Sequence, residues 1–541
     1  MNRLTEIMES RFVGIFCFLF AIANRIIFAS LYSIIGVDTK MQLAYTKNLL
    51  AGKGMGITKY FTNDLNTAVF DTYQVCPPGF SFAIIPFLRI FGGDEHKAVL
   101  AYDIVIAILF VFAVRLLGKK AGLSPLFINI ITLIAGCSQY IFFMAWSTTD
   151  AICVCLTLFA LIETAGIINK KENSSLLKAV GVGLLFSSSF YFRYMYLPIA
   201  LLLPFLVLLS GFLLKNKNLK IVGLKTLGAS AFFVILLFVF SLSVSGNALH
   251  VTGVGRGFFI DQFVECYPFL PASFINIDFG AQLIQSIIGM DYSRVIFYLQ
   301  IINPVILVFL IFLLGRYIYK QKKSLQFSSH SLFIIIGSFI SLTIIFLLAY
   351  LTLTYKELSW GYHRWTFVGE NRYFAFIYVF VPVSFFITLY HYRSFFRNPF
   401  MRLLVFIGLS CLGIEVAHGI YYNAKILVSH NDLAYIRDSD NGIKRFPAII
   451  TEIKKQYPDR EVLVSSKDQL YLHTASEMGC KAIFDYDNFL ESDLKVSSKS
   501  ILLMPINTTD VVIVNEFIEK KKLQLVYTIS GISFYTREMD P

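Results

Sequence analysis

The sequence predicts an α-helical polytopic membrane protein of about eleven transmembrane helices, followed by a small C-terminal α/β domain outside the membrane. Three observations carry that prediction. Hydrophobic residues make up 56% of the 541-residue chain and charged residues 15%, with a mean hydropathy of +0.66, whereas soluble domains carry about 25% charged residues. The apolar residues are gathered into runs near the roughly 20 residues that one bilayer crossing needs. The basic residues fall in short clusters on alternate connections between those runs, the pattern of a multi-pass protein. The 54 Phe and 29 Tyr against 3 Trp suit packing among helices and at the lipid interface, and no internal repeat or low-complexity tract is present. The net charge of +12 forms no continuous basic stripe, which argues against nucleic acid as a partner and for membrane lipids.

Candidate spans lie near 12–35, 98–117, 125–145, 150–169, 179–192, 196–214, 222–245, 294–315, 331–354, 373–390 and 403–422. With the N-terminus in the cytoplasm, the cytoplasmic connections carry Arg115, Lys119, Lys120, Lys170, Lys171, Lys178, Lys215, Lys217, Lys220, Lys225, Arg316, Lys320, Lys322, Lys323, Arg393, Arg397 and Arg402. Glu172 is the one acid set against them. The bias orients the chain in a cell (inner or plasma) membrane with its C-terminal domain extracytoplasmic. The run after Arg11 is about 24 residues long, beyond the ~7–15 of a signal-peptide core, and lacks a small-x-small cleavage site, so it reads as a retained span. The run 179–214 is broken only by Phe192-Arg193-Tyr194. The charge pattern reads it as two short spans meeting outside at Arg193, the alternative being one long tilted helix. Residues 1–422 thus form a transmembrane domain and 423–541 the external one.

Four external regions follow: 36–97, 146–150, 246–292 and 355–372. In the first, Asp38 sits where a span meets water, and an ionisable residue at that depth is a site hypothesis by default. Asp38, Gln42, Tyr45 and Leu49 recur at i, i+4, i+7 and i+11, one face of a helix to which Met41, Ala44 and Leu50 add apolar contact. Such a helix lies along the membrane surface. Gly52, Gly54 and Gly56 break it, Pro77-Pro78 forces an extended entry, and Phe80–Phe91 is too short to span. That stretch reads as a second interfacial helix ended by Gly92-Gly93.

In the tail, Arg460–Ser465, Lys481–Phe484 and Ile501–Met504 read as buried strands, Asp468–Met478 and Asp510–Lys522 as helices, and Leu525–Thr536 as a hairpin bent at Ser530-Gly531. No phosphate loop or nucleotide fingerprint occurs there, and the domain reads as a packing or acceptor-recognition module. Gly253-Val254-Gly255-Arg256-Gly257 lacks the strand-to-helix context and Lys of a phosphate cradle and reads as a loop beside the site. His250, Asp261, Glu265, His363 and Glu370 show no metal-ligand spacing. No firmly bound metal or other cofactor is therefore predicted, and a divalent metal stays open. His363 with Trp360, Tyr362 and Trp365 reads as an aromatic belt. Cys76, Cys266 and Cys480 fall outside, an odd number that makes no complete disulfide framework.

Asp38 directly after the first span, Tyr45 on the following helix, the Gly-rich turn, then Pro77-Pro78-Gly79-Phe80 and an apolar stretch closing on Phe91-Gly92 resemble the first external loop of the GT-C membrane glycosyltransferases. The branch is that of the protein O-mannosyltransferases and lipid A aminoarabinose transferases. The resemblance extends to Ser147-Thr148-Thr149-Asp150, to Phe192-Arg193-Tyr194 and to the external C-terminal domain, about 200 residues in all. In that family Asp is often followed by Glu; here position 39 is Thr, so Asp38 has no adjacent carboxylate.

The resemblance implies a GT-C-like fold and transfer of a hexosyl or pentosyl group from a polyprenyl-phosphate-linked sugar donor to a lipid, glycan or protein acceptor. Cytoplasmic loops of only about ten residues agree with it, because they leave no room for a nucleotide-sugar pocket. Inverting transfer needs a carboxylate general base, for which Asp38 is the candidate, and cationic groups on the departing phosphate, for which the planar forks of Arg193 and Arg372 are suited. Asp150 is the second catalytic carboxylate, able to orient acceptor, hold a metal or pair with an arginine. Gln42, Tyr45, Tyr194 and Arg256 would line the site. Each has a plainer role: Asp38 and Asp150 as helix N-caps, Arg193 and Arg372 as snorkelling interfacial anchors. A transporter or flippase of lipid-linked sugars, a surface-polysaccharide polymerase or ligase, and a structural assembly protein are the alternative functions. The first would show matched halves or broken helices at mid-membrane; the second, key basic residues in a late loop; the third, tolerance to loss of Asp38. A single cysteine placed at position 38 is expected to be labelled by an impermeant thiol reagent from outside intact cells. Labelling only after permeabilisation would reverse the orientation.

Overall fold

The computed structural model describes residues 9–32, 35, 37–52, 56–58, 70–72, 77–138, 148–169, 176–245, 277–290, 294, 334–338, 375–391, 398–429, 434–466, 469–484, 499–507, 518–519, 522–529 and 532–539. The chain opens with α1 (Arg11–Tyr32) and α2 (Val37–Leu50), then a short antiparallel pair, β1 (Gly56–Thr58) and β2 (Phe70–Thr72), with Ile57 opposite Asp71. Next come α3 (Gly79–Ile90), α4 (Glu95–Lys120), α5 (Pro125–Cys137), α6 (Thr148–Asn169), α7 (Leu176–Phe192), α8 (Leu197–Leu213) and α9 (Lys217–Ser245). They are followed by α10 (Ile277–Ile288), α11 (Ala375–His391) and α12 (Pro399–Ser429). Among the described residues α1, α4, α6, α9 and α12 contain segments long and apolar enough to cross a membrane. The α3, α5, α7, α8 and α11 helices are shorter apolar ones. Most of the expected spans 294–315 and 331–354 lies outside the described residues, as does 139–145 of the span expected at 125–145.

Local sequence explains the helix ends. Asp94 caps α4 by accepting from the Lys97 backbone N–H at 3.0 Å, while Lys119 and Lys120 meet the negative end of its dipole. At the end of α3, Gly92 and Gly93 adopt φ of 61° and 88°, and the Gly93 N–H reaches back to the Leu88 carbonyl at 2.8 Å. The hairpin β1–β2 follows the Gly-rich break, which alternation alone did not reveal as strand. Arg193 is extended (φ −152°, ψ 129°) and a 3₁₀ turn, Tyr194–Tyr196, follows. The 179–214 run is therefore two helices, α7 and α8, that pack on one another.

Helix α4 is the hub, burying Val99, Tyr102, Ile106, Phe110, Val114 and Leu117 against its neighbours. Phe12, Phe16, Phe212, Leu224, Phe232 and Phe406 face outward and are exposed, the arrangement of lipid-facing surfaces. Lipid is as apolar as leucine, so helices in it associate through close backbone approach and polar contacts. Both devices are present. A Cβ at Gly136 would sit 2.3 Å from that of Ala21, and one at Gly183 would sit 2.8 Å from the Thr226 carbonyl oxygen. The Asn423 amide donates to Asn24 Oδ1 at 2.8 Å, and the Asn24 amide to the Gly136 carbonyl at 3.1 Å, tying α12, α1 and α5 together.

The C-terminal segment contains α13 (Ala434–Gln456), β3 (Glu461–Ser466), α14 (Gln469–Glu477), β4 (Lys481–Phe484), β5 (Ser500–Asn507), β6 (Gln524–Ile529) and β7 (Ile532–Met539). The sheet order is β4-β3-β5-β7-β6, with β3 parallel to β4 and β5 and β7 antiparallel to β5 and β6. Helix α13 was not foreseen. Its Phe446, Ile449, Ile450 and Ile453 repeat at helical spacing and cover the sheet at Val462, Val464, Ile501 and Leu503. The helix expected over Asp510–Lys522 lies mostly outside the described residues.

Replacing Gly136 by Val is expected to force α5 from α1 and lower thermal stability in detergent by about 1–3 kcal/mol, the usual range for overpacking. Gly181→Ala, where an added Cβ meets nothing within 4 Å, serves as the neutral control; equal melting of the two variants would contradict the close approach.

Candidate active site

The first loop folds onto one end of the bundle. Asp38 is the second residue of α2, and its side chain lies outside the described atoms. Gln42 and Tyr45, one and two turns further, are buried. The Ser81 hydroxyl of α3 donates to the Gln42 carbonyl at 3.3 Å, and Thr46 Oγ1 donates to the Ser81 carbonyl at 3.4 Å, fixing α2 against α3. Phe80 and Phe87 pack edge-on against Tyr102 with centroids 5.4 and 5.7 Å away, which pins α3 to α4. The Pro78-Gly79 entrance then rests on the end of α7. A Cβ at Gly79 would stand 2.4 Å from the Tyr191 carbonyl oxygen, so only glycine allows the two backbones to meet.

Directly after that contact comes Arg193. Asp150, in the first turn of α6, is fully buried. Its Oδ2 accepts from Arg193 Nη1 and its Oδ1 from the Tyr196 hydroxyl. The extended residue and the 3₁₀ turn explain how one short segment delivers both donors: the break swings the guanidinium and the phenol onto the same carboxylate. The positive end of α6 favours a negative charge there. A turn deeper, the Cys153 thiol donates to the Ser189 carbonyl at 3.4 Å, and Thr157 and Ser189 share a hydroxyl bond of 3.2 Å, so α6 and α7 are laced together beneath the ion pair. Cys155 points the other way, to the Ile106 carbonyl of α4 at 3.8 Å.

Tyr194 packs edge-on to Phe190 at 5.8 Å. Burial, reinforced by the neighbouring Tyr194 hydroxyl, pushes the Tyr45 phenol above its ordinary range, so Tyr45 is a neutral hydrogen-bonding group at physiological pH. The structure brings Asp150 onto Arg193. Arg256 and Arg372 lie outside the described residues, as do His250, Asp261, Glu265, His363 and Glu370. Among the described residues no three His, Cys, Asp or Glu side chains gather in a way that could hold a metal ion. Sequence reasoning missed Tyr196 and Ser81. Tyr196 stood three residues beyond Arg193 in an aromatic run, a signal that belt anchoring masks; Ser81 carried none.

No protein-family model matches the chain, and no curated protein does. Its coordinates align with ArnT from Cupriavidus metallidurans bound to undecaprenyl phosphate, over 96% of this chain and 97% of that one, at 12% identity and a TM-score of 0.41. They also align with the oligosaccharyltransferase AglB from Archaeoglobus fulgidus in complex with an inhibitory peptide and a dolichol-phosphate, over 97% of this chain and 74% of that one, at 13% identity and a TM-score of 0.45.

Asp150→Asn is expected to leave Arg193 without a counter-charge and to reduce stability by about 3–5 kcal/mol. Adding Arg193→Met should recover part of that loss in a double-mutant cycle. Strict additivity of the two changes would deny the pairing.

Proposed function

We propose that this chain is an integral-membrane glycosyltransferase that moves a sugar from a polyprenyl-phosphate-linked donor to an acceptor on the extracytoplasmic side, with inversion. The observation that carries the reading is convergence. The helix bearing Asp38, Gln42 and Tyr45, the Pro78-Gly79 entrance and the Asp150-held Arg193 all meet at one end of the apolar bundle. There a lipid carrier can enter sideways while an acceptor arrives from water.

In the proposed reaction the acceptor hydroxyl oxygen attacks the anomeric carbon as the bond from that carbon to the phosphate oxygen breaks. The electron pair leaves with polyprenyl phosphate, and the acceptor proton passes to Asp38. Charge builds on the leaving phosphate, so a pre-oriented guanidinium lowers the barrier without reorganising during the step. Arg193 fills that role, with Asp150 and Tyr196 fixing its direction beforehand, and Arg372 is the second proposed phosphate ligand. Gln42, Tyr45 and Tyr194 offer hydrogen bonds to sugar hydroxyls, and Arg256 completes the lining. Asp38 acts without a neighbouring carboxylate, since position 39 is Thr.

The test is release of polyprenyl phosphate by purified protein supplied with polyprenyl-phosphate sugars and membrane acceptors. Asp38→Asn should lower turnover by about 10²–10⁴-fold, the range for a general base, with donor binding retained. Full turnover in that variant would remove the base assignment. Arg193→Lys should weaken binding of polyprenyl phosphate, and unchanged affinity would return Arg193 to an interfacial anchor.

A further inference from the structure

The face of α2 opposite Asp38 carries a second cluster of charge. Lys40 Nζ lies 2.6 Å from Glu95 Oε2, at the start of α4, and 3.0 Å from Glu477 Oε2, at the end of α14 in the C-terminal domain. Lys47, two turns along the same face, pairs with Glu95 and stands 3.5 Å from Glu477. The Lys40 side chain is 6% exposed, Glu95 10% and Glu477 16%. One cation and two anions are thus enclosed, with Lys47 37% exposed at the rim, where three elements from distant parts of the sequence meet: 55 residues separate Lys40 from Glu95, and 437 separate it from Glu477.

Exposed ion pairs contribute little, but enclosed ones resist loss of a single partner, because the charge left behind has no water to solvate it. The direction of the restraint matters here. At about 100° per residue, Lys40 lies roughly 200° around the helix from Asp38, and Lys47 stacks over Lys40. Holding Lys40 and Lys47 from one side therefore fixes the rotation of α2 and, with it, the heading of Asp38, Gln42 and Tyr45 on the other. The bonds from the Ser81 hydroxyl to the Gln42 carbonyl and from the Thr46 hydroxyl to the Ser81 carbonyl hold α2 to α3, whereas the charge cluster reaches across to the C-terminal domain.

We propose that Lys40, clamped between Glu95 and Glu477, is a positioning residue: by docking the C-terminal domain onto α2 it sets the orientation of the Asp38 face, so the external domain is a working part of the site. This rests on the transferase reading given above. In the full-length protein in nanodiscs, Glu477→Gln removes one charge at constant volume, and Glu477→Asp keeps it. The Gln variant should exchange amide hydrogens faster over residues 37–50 and 469–477, with α4 and β3 unchanged. Its kcat should fall at least about tenfold, as expected when reacting groups lose alignment, while KM for the polyprenyl-phosphate sugar stays within about twofold. The Asp variant should recover most of both. Faster exchange with kcat retained would reduce the cluster to a simple fastening, and unchanged exchange over 37–50 would show that it does not hold α2. If the wild type turns over no lipid-linked sugar, the transferase reading falls on that result and takes the positioning role with it; the exchange comparison still reports whether the cluster holds α2.

Discussion

A carboxylate removed from water at the end of an apolar bundle is the constraint from which the rest of the site follows. Asp150 is fully enclosed, and at such a place an anion persists only where a cation and further donors satisfy it. The break between α7 and α8 supplies both within four residues, Arg193 and Tyr196. Asp150 is satisfied at both oxygens from an interrupted helix, and that interruption leaves an irregular segment, Arg193 to Tyr196, beside the Pro78-Gly79 end of the first loop.

That loop is held from three directions by unlike forces. Aromatic edges of Phe80 and Phe87 on Tyr102 supply apolar packing, backbone contact at Gly79 supplies steric fit, and the charges around Lys40 supply electrostatic restraint. Each restrains a different degree of freedom of α2 and α3: the seat of α3 on α4, its separation from α7, and the side from which α2 is held.

Much of the architecture was legible in the sequence because lipid imposes coarse rules. Runs of apolar residues produce α1, α4, α6 and α9 almost at their sequence boundaries, and the single charge in the 179–214 run, Arg193, marks the turn between α7 and α8. Strands β3, β4 and β5 stand out as compact apolar runs in a polar tail. Helix α13 was hidden because its first half is charged and Pro447 interrupts its pattern, although Phe446, Ile449, Ile450 and Ile453 keep the period. Within the candidate site, charged residues beside long apolar runs, Asp38, Asp150 and Arg193, were visible one by one. Their partners were not, since Tyr196 resembles any interfacial tyrosine and Glu477 lies more than four hundred residues from Lys40. Pairing across such separations is set by tertiary packing, on which local periodicity is silent.

The seam at Gly79 has a consequence for how this end of the molecule can adapt. Where side chains interlock, a new ligand is accommodated by changing rotamers; where two backbones touch, there is nothing to rotate. Because α3 meets α7 through the Gly79 Cα and the Tyr191 carbonyl, widening the gap between them requires the whole of α3 to shift as a body. Phe80 and Phe87 would carry that shift to Tyr102 on α4. Variation in the size of what the site admits is therefore expected to arise at the Gly92-Gly93 turn that ends α3, rather than by exchange of side chains along the seam.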